Sequence, residues 1–140
     1  MLVIPAVDIK QGRCVQLVEG KTNTGGEYGD PVEATINWEA QGAPYLHVVD
    51  LDAAMGEGDN LNKVSEILAN VTIGVEVGGG IRSVERGCEL IGNGADKIIL
   101  GTVAMKNPEV LQELIELVGS SRIIIALDAR AGKVVVKGWK

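Results

Sequence analysis

Ala6-Val7-Asp8-Ile9-Lys10-Gln11-Gly12-Arg13-Cys14-Val15 returns 120 residues later as Ala126-Leu127-Asp128-Ala129-Arg130-Ala131-Gly132-Lys133-Val134-Val135. The match holds position by position: apolar, apolar, Asp, any, basic, any, Gly, basic, apolar, Val. Four strand-and-helix units lie between the copies. Residues 2–7, 45–49, 71–77 and 97–100 are short apolar, β-branched runs that read as strands, and residues 122–127 read as a fifth. The near-continuous hydrophobicity of the first run implies cover on both faces. Asp30-Pro31 sets an N-cap before a helix-first proline and opens a helix to about residue 42. Residues 60–70 carry Leu61, Val64, Ile67 and Leu68 at helical spacings of three and four. Ser83 reads as the N-cap of a third helix, without a reciprocal capping box because Arg86 stands three residues later. Asn107-Pro108 opens a fourth helix to about residue 118. Residues 19–30 read as a polar, Gly-rich loop of a length that is usually functional.

Alternation of this kind predicts a parallel α/β sheet of right-handed units. A repeat that spans four such units is what a (βα)8 barrel made of two duplicated halves shows. A whole barrel takes ~250 residues, so the 140 residues here predict a single-domain partial barrel. Residues 1–120 form a half-barrel and residues 121–140 begin the second half. An open, flavodoxin-like sheet is the alternative.

Composition removes several classes of function. At 46% hydrophobic and a net charge of −6, the chain is too apolar and too weakly charged for disorder. The acidic balance (pI about 4.8) lacks the basic face that nucleic-acid binding needs. No apolar run approaches the ~20 residues that span a bilayer. The first residues lack the basic flank of a signal peptide. Cys14 and Cys88 are too few for a disulfide framework and read as packing residues in a cytoplasmic setting.

Parallel α/β folds gather their chemistry at strand carboxyl ends, where the polar residues of this sequence fall. Asp8 and Asp128 hold equivalent places in the two repeats, and in a closed barrel they would face each other across the mouth. Two readings stand: a general acid and base pair, or a structural role in which each pairs with a nearby base such as Lys10 or Arg130 or caps a turn. The matched repeat favours catalysis. Gly78-Gly79-Gly80-Ile81-Arg82-Ser83 lies between a strand and a helix, with Gly101-Thr102 at the end of the next strand. Convergent backbone N–H groups with Arg82 beside them suit a phosphate. The net charge of −6 opposes an anion only at long range, since screening acts beyond ~8 Å. His47, the sole histidine, either points into the mouth as a hydrogen-bonding partner or packs outward under a helix. A lone His without a Cys cluster offers no metal site. Asp50 and Asp52 close the strand of His47; Asp50 either points inward or, the favoured reading, serves as a structural cap. Trp139 either stacks on a planar ring or covers a loop.

These motifs resemble the ProFAR isomerase family of histidine biosynthesis. The resemblance rests on Ile4-Pro5-Ala6-Val7-Asp8, Leu46-His47-Val48-Val49-Asp50-Leu51-Asp52, Val77-Gly78-Gly79-Gly80-Ile81-Arg82, Gly101-Thr102, Leu127-Asp128 and Lys137-Gly138-Trp139. It runs through the whole chain in the family's order and covers the family's N-terminal half plus the opening of its second. It implies a cofactor-free, metal-free Amadori rearrangement of a bis-phosphorylated aminoaldose. Asp128 would be the general acid and Asp8 the general base. Gly79, Gly80, Arg82, Gly101 and Thr102 would bind phosphate, and His47 and Trp139 would line the site. The family's second phosphate site, after strands seven and eight, has no counterpart here. The chain is therefore expected to expose apolar faces and strand edges, as a fragment of a longer chain, a partner for a complementary half or a dimer-forming half-barrel. The sister cyclase subunit of imidazole glycerol phosphate synthase is the enzymatic alternative. It would carry Cys where Ala6 stands and Lys where Gln16 stands. A non-catalytic, self-associating half-barrel is the other.

Overall fold

The computed structural model describes residues 3–15, 27–130 and 133–135. Strand β1 (Ala6–Lys10) turns back into β2 (Arg13–Val15), which pairs with β3 (Glu27–Gly29). Helix α1 (Pro31–Ala40), strand β4 (Tyr45–Asp50), helices α2 (Leu51–Met55) and α3 (Leu61–Asn70), strand β5 (Gly74–Gly78) and helix α4 (Val84–Gly92) follow. Then come β6 (Lys97–Leu100), α5 (Thr102–Lys106), α6 (Pro108–Val118), a 3-10 turn (Ser120–Arg122) and β7 (Ile123–Ile125). A separate hairpin, β8 (Asp128–Arg130) with β9 (Lys133–Val135), ends the described chain.

The five strands β1, β4, β5, β6 and β7 lie side by side in chain order and are parallel throughout. A flavodoxin-like sheet needs its second strand on the far side of the first, so that alternative is excluded. Alternation along the strands assigns the two faces. Val7, Ile9, Leu46, Val48, Val75, Val77, Ile98 and Leu100 form one face and are buried. Helix residues pack against this face, among them Val64, Ile67, Leu90 and Leu114. Leu61 and Leu68 of α3 pack on the same core from its margin, as their spacing predicted. The opposite, concave face carries Asp8, His47, Glu76, Lys97, Ile99 and Ile124, all partly exposed. Cover on one face of a sheet in sequential order is barrel-wall architecture, here open rather than closed.

Helix starts follow their caps. The Asp30 carboxylate accepts from the Val32 N–H at 3.1 Å, with Pro31 in the first turn, and the Ser83 hydroxyl accepts from the Arg86 N–H at 3.1 Å. Several expectations need correction. The first strand begins at Ala6 rather than residue 2, and Val3 is 67% exposed, so the run is not covered on both faces. Pro5 cannot donate to a ladder, although its carbonyl accepts from the His47 N–H at 3.0 Å. The loop read over residues 19–30 ends in β3, and its residues 19–26 lie outside the described residues. The third strand starts at Gly74, and the fifth stops at Ile125 because Asp128 begins the new hairpin.

The hairpin turn at Gln11-Gly12 has φ of 51° and 75°. Positive φ at both central residues is the two-residue turn whose twist matches antiparallel strands. Large exposed apolar side chains gather toward the outer ends of the sheet. Ile36 and Trp38 on α1 flank one end; Leu117 on α6, Ile125 and Leu127 flank the other. No described helix is long and apolar enough to cross a membrane.

Candidate functional site

The carboxyl ends of β4, β5, β6 and β7 open into one cleft on the concave side. Its lining includes His47, Gly79, Gly80, Arg82, Gly101 and Thr102. The space measures about 180 Å³. Complete small-molecule pockets run to ~300–1,000 Å³, so this cleft is sized for one end of a ligand. The structure thus brings six sequence-predicted residues together. His47 takes the inward of its two readings: it sits on the concave face with Nδ1 2.7 Å from Glu76 Oε1.

Gly79 and Gly80 owe their identity to packing as well as to any ligand. A Cβ on Gly79 would lie 2.3 Å from the Asp50 carbonyl oxygen, and one on Gly80 would lie 2.3 Å from that of Ala53. Both also have positive φ. The glycine loop is wedged against the β4–α2 corner, and Arg82 clamps it there by donating to the carbonyls of Ala53 (2.8 Å) and Ala54 (3.1 Å). Gly101 is different. Its φ is −106°, and an added Cβ would meet only the Ala126 carbonyl oxygen, at 3.9 Å. No neighbouring atom crowds a Cβ there, so its absent side chain preserves room in the cleft.

Asp8 shares a register row with Val49, Gly78, Ile99 and Ile124. It is therefore level with the cleft wall but lines a neighbouring recess between the β1–β2 hairpin and α1. Burial pushes its carboxyl above the usual range, and the neighbouring His47 opposes that shift. A half-buried carboxylate of this kind is a stronger base than an exposed one. Asp128 is placed by its backbone at the start of β8, and its side chain lies outside what is described. Trp139 lies outside the described residues.

Asp50 and Asp52 act as caps and anchors. Asp50 accepts from the N–H groups of Ala53 (3.1 Å) and Asn60 (2.6 Å). The Asn60 side-chain amide donates to Asp50 and Asp52, each at 2.8 Å. Asp52 and Asn60 in turn accept from the N–H groups of Gln11 (2.6 Å) and Gly12 (2.8 Å), so a buried polar knot ties the first hairpin to the β4–α2 corner. Sequence reasoning missed α2, though Asp50 before Leu-Asp-Ala-Ala-Met and Gly56 after it is a helix start and stop. It also missed Glu76, which the alternation Gly74-Val75-Glu76-Val77-Gly78 places opposite the buried valines.

Fold and site together define an open section of a (βα)8 barrel with a ligand cleft at its strand carboxyl ends. A family model described as histidine biosynthesis protein matches residues 2–140, and the chain belongs to that family. Curated relatives from Methanococcus maripaludis (48% identical), Methanocaldococcus jannaschii (45%) and Thermus thermophilus (46%) match along 100% of this chain. All three are named as phosphoribosyl-type imidazole-4-carboxamide isomerases. The chain spans 60% of the length of each.

Proposed function

We propose that this chain supplies the first half, residues 1–120, and the opening of the second half, residues 121–140, of a ProFAR isomerase of histidine biosynthesis. The reaction is an aldose–ketose isomerisation of an aminoaldose carrying a phosphate at each end. Asp128, as general acid, protonates the ring oxygen; the C1′–O bond breaks as the amine lone pair forms the Schiff base. Asp8, as general base, then takes the C2′ proton to give the enolamine, and protonation at C1′ with loss of the C2′ hydroxyl proton yields the aminoketose. Gly79, Gly80, Gly101 and Thr102 hold one phosphate beside Arg82, while His47 and Trp139 line the sugar and base. The observation that carries this reading is the convergence of His47 and the two glycine-ended strand termini on one cleft, on the same concave face as Asp8. The apolar side chains at both ends of the sheet support cover by a complementary half-barrel rather than by solvent.

The test is turnover of ProFAR by the purified chain, alone and mixed with a second polypeptide supplying the remaining length of the relatives. Little turnover is expected from the chain alone. The second phosphate grip is assigned to the remaining length, and distant binding energy positions the reacting centre. The mixture is expected to turn over and to show one combined mass in solution. A stable complex without turnover overturns the assignment.

A further inference from the structure

We propose that Glu76 is a positioning residue. It holds His47 as the tautomer protonated at Nδ1 and so presents Nε2 to the cleft as a hydrogen-bond acceptor for a ligand hydroxyl. The register row Ala6, His47, Glu76, Lys97 crosses the concave face one step below the Asp8 row. His47 lines the cleft and Glu76 does not. Their contact, Nδ1 to Oε1 at 2.7 Å, runs along the sheet. A carboxylate only accepts, so the Nδ1 atom must carry the proton. In the neutral ring the lone pair then falls on Nε2, on the opposite side of the imidazole, and the partner of one nitrogen sets the state of the other.

A purely stabilising role explains less. The side chains are 33% and 18% exposed, and partly solvated pairs contribute about 0–1 kcal/mol at best. The pair also occupies the concave face, where it adds nothing to the helix-covered core. An acceptor at Nε2 suits a ribose hydroxyl and discriminates against a bare phosphate oxygen, which has no proton to donate at high pH. The hydroxyl ligand rests on the sugar-phosphate reading above; the tautomer does not.

His47 is the sole histidine, so nitrogen-15 NMR of the labelled chain reads it without ambiguity. At pH 8, above the ordinary histidine range of about 6.5, long-range nitrogen–proton correlations separate the two neutral tautomers from the doubly protonated ring. The Nδ1–H form is expected in the parent. Loss of that form in favour of Nε2–H is expected in Glu76→Ala and in Glu76→Met, which retains bulk if the smaller side chain impairs folding. An Nε2–H or doubly protonated ring in the parent overturns the proposal without any variant, and so does an unchanged tautomer in a folded variant. Ribose 5-phosphate is expected to shift the Nε2 resonance, and inorganic phosphate is not. Ribose 5-phosphate bound with Nε2 unmoved overturns the acceptor role. Absence of binding counts against the sugar-phosphate reading and leaves the tautomer result standing.

Discussion

The hairpins β1–β2 and β8–β9 share one register. Asp8 pairs with Val15, Ile9 with Cys14 and Lys10 with Arg13; at an offset of 120, Asp128 pairs with Val135, Ala129 with Val134 and Arg130 with Lys133. Their settings differ. The first hairpin is woven into the seven-stranded sheet through β4, and its turn is fastened to Asp52 and Asn60. The second forms a two-stranded sheet of its own. The ten-residue motif thus pairs in one register both within the larger sheet and in a sheet of its own, as local apolar alternation predicts. Anchoring is a tertiary matter, supplied by residues some forty to fifty positions further along.

The most severe test of equivalence is chemical. In the complete enzyme, Asp8→Asn and Asp128→Asn are each expected to lower kcat by about 10²–10⁴-fold, the usual worth of a positioned acid or base. The double variant is expected to lose little beyond the worse single one, because the two carboxylates serve one reaction. Near-normal turnover in one variant alone would show that the repeats agree in backbone and diverge in role.

Asn60→Ala addresses the anchoring. It removes the acceptor for the Gly12 N–H and one donor from each of two buried carboxylates. Breaking such a network is expected to cost about 2–4 kcal/mol, read as a lower urea midpoint. Amide exchange is expected to speed up at Gln11 and Gly12 while that of β8–β9 stays as it was. Equal loosening of both hairpins would mean that the second leans on the first half after all.

What was readable beforehand follows the same division. Parallel strands, the four longer helices, the caps at Asp30 and Ser83 and the inward face of Asp8 all follow from periods and short-range signals, and were legible. The knot of Asp50, Asp52 and Asn60 was not, because its partners in the first hairpin are distant in sequence and nothing local reveals which backbone N–H a carboxylate will meet. Helices α2 and α5 span little more than one turn each, too short for a hydrophobic period to emerge. Glu76 was legible in the alternation of its strand and was passed over in favour of the glycines that follow it.

Those glycines extend the contrast between local and tertiary demands. Gly80→Ala forces a Cβ onto the Ala53 carbonyl at positive φ and is expected to destabilise by about 2–3 kcal/mol. Gly101→Ala meets no close contact and is expected to destabilise less than Gly80→Ala. It narrows the cleft, however, and should weaken inorganic phosphate binding about tenfold, the equivalent of ~1.4 kcal/mol. Calorimetry of the two variants with phosphate separates a glycine kept for the fold from one kept for the ligand; unimpaired binding in Gly101→Ala would remove it from the site.

The smallest expected effect concerns the stability cost of the first hairpin's carboxylate. Burial raises the Asp8 carboxyl above its ordinary value, so folding favours the protonated form. That contribution is fully present below the ordinary carboxylate pKa and is lost as pH rises through the raised one. At neutral pH the ionised side chain therefore weighs against the fold, as expected of a group placed for chemistry rather than for packing. Asp8→Asn is expected to raise Tm by a few degrees at pH 7, with the gain shrinking toward zero as the pH falls below about 4. A variant that loses turnover while gaining stability at neutral pH marks Asp8 as functional. A variant that loses both would instead make the carboxylate a structural partner of the hairpin, and the likeness of the two repeats would end at their backbones.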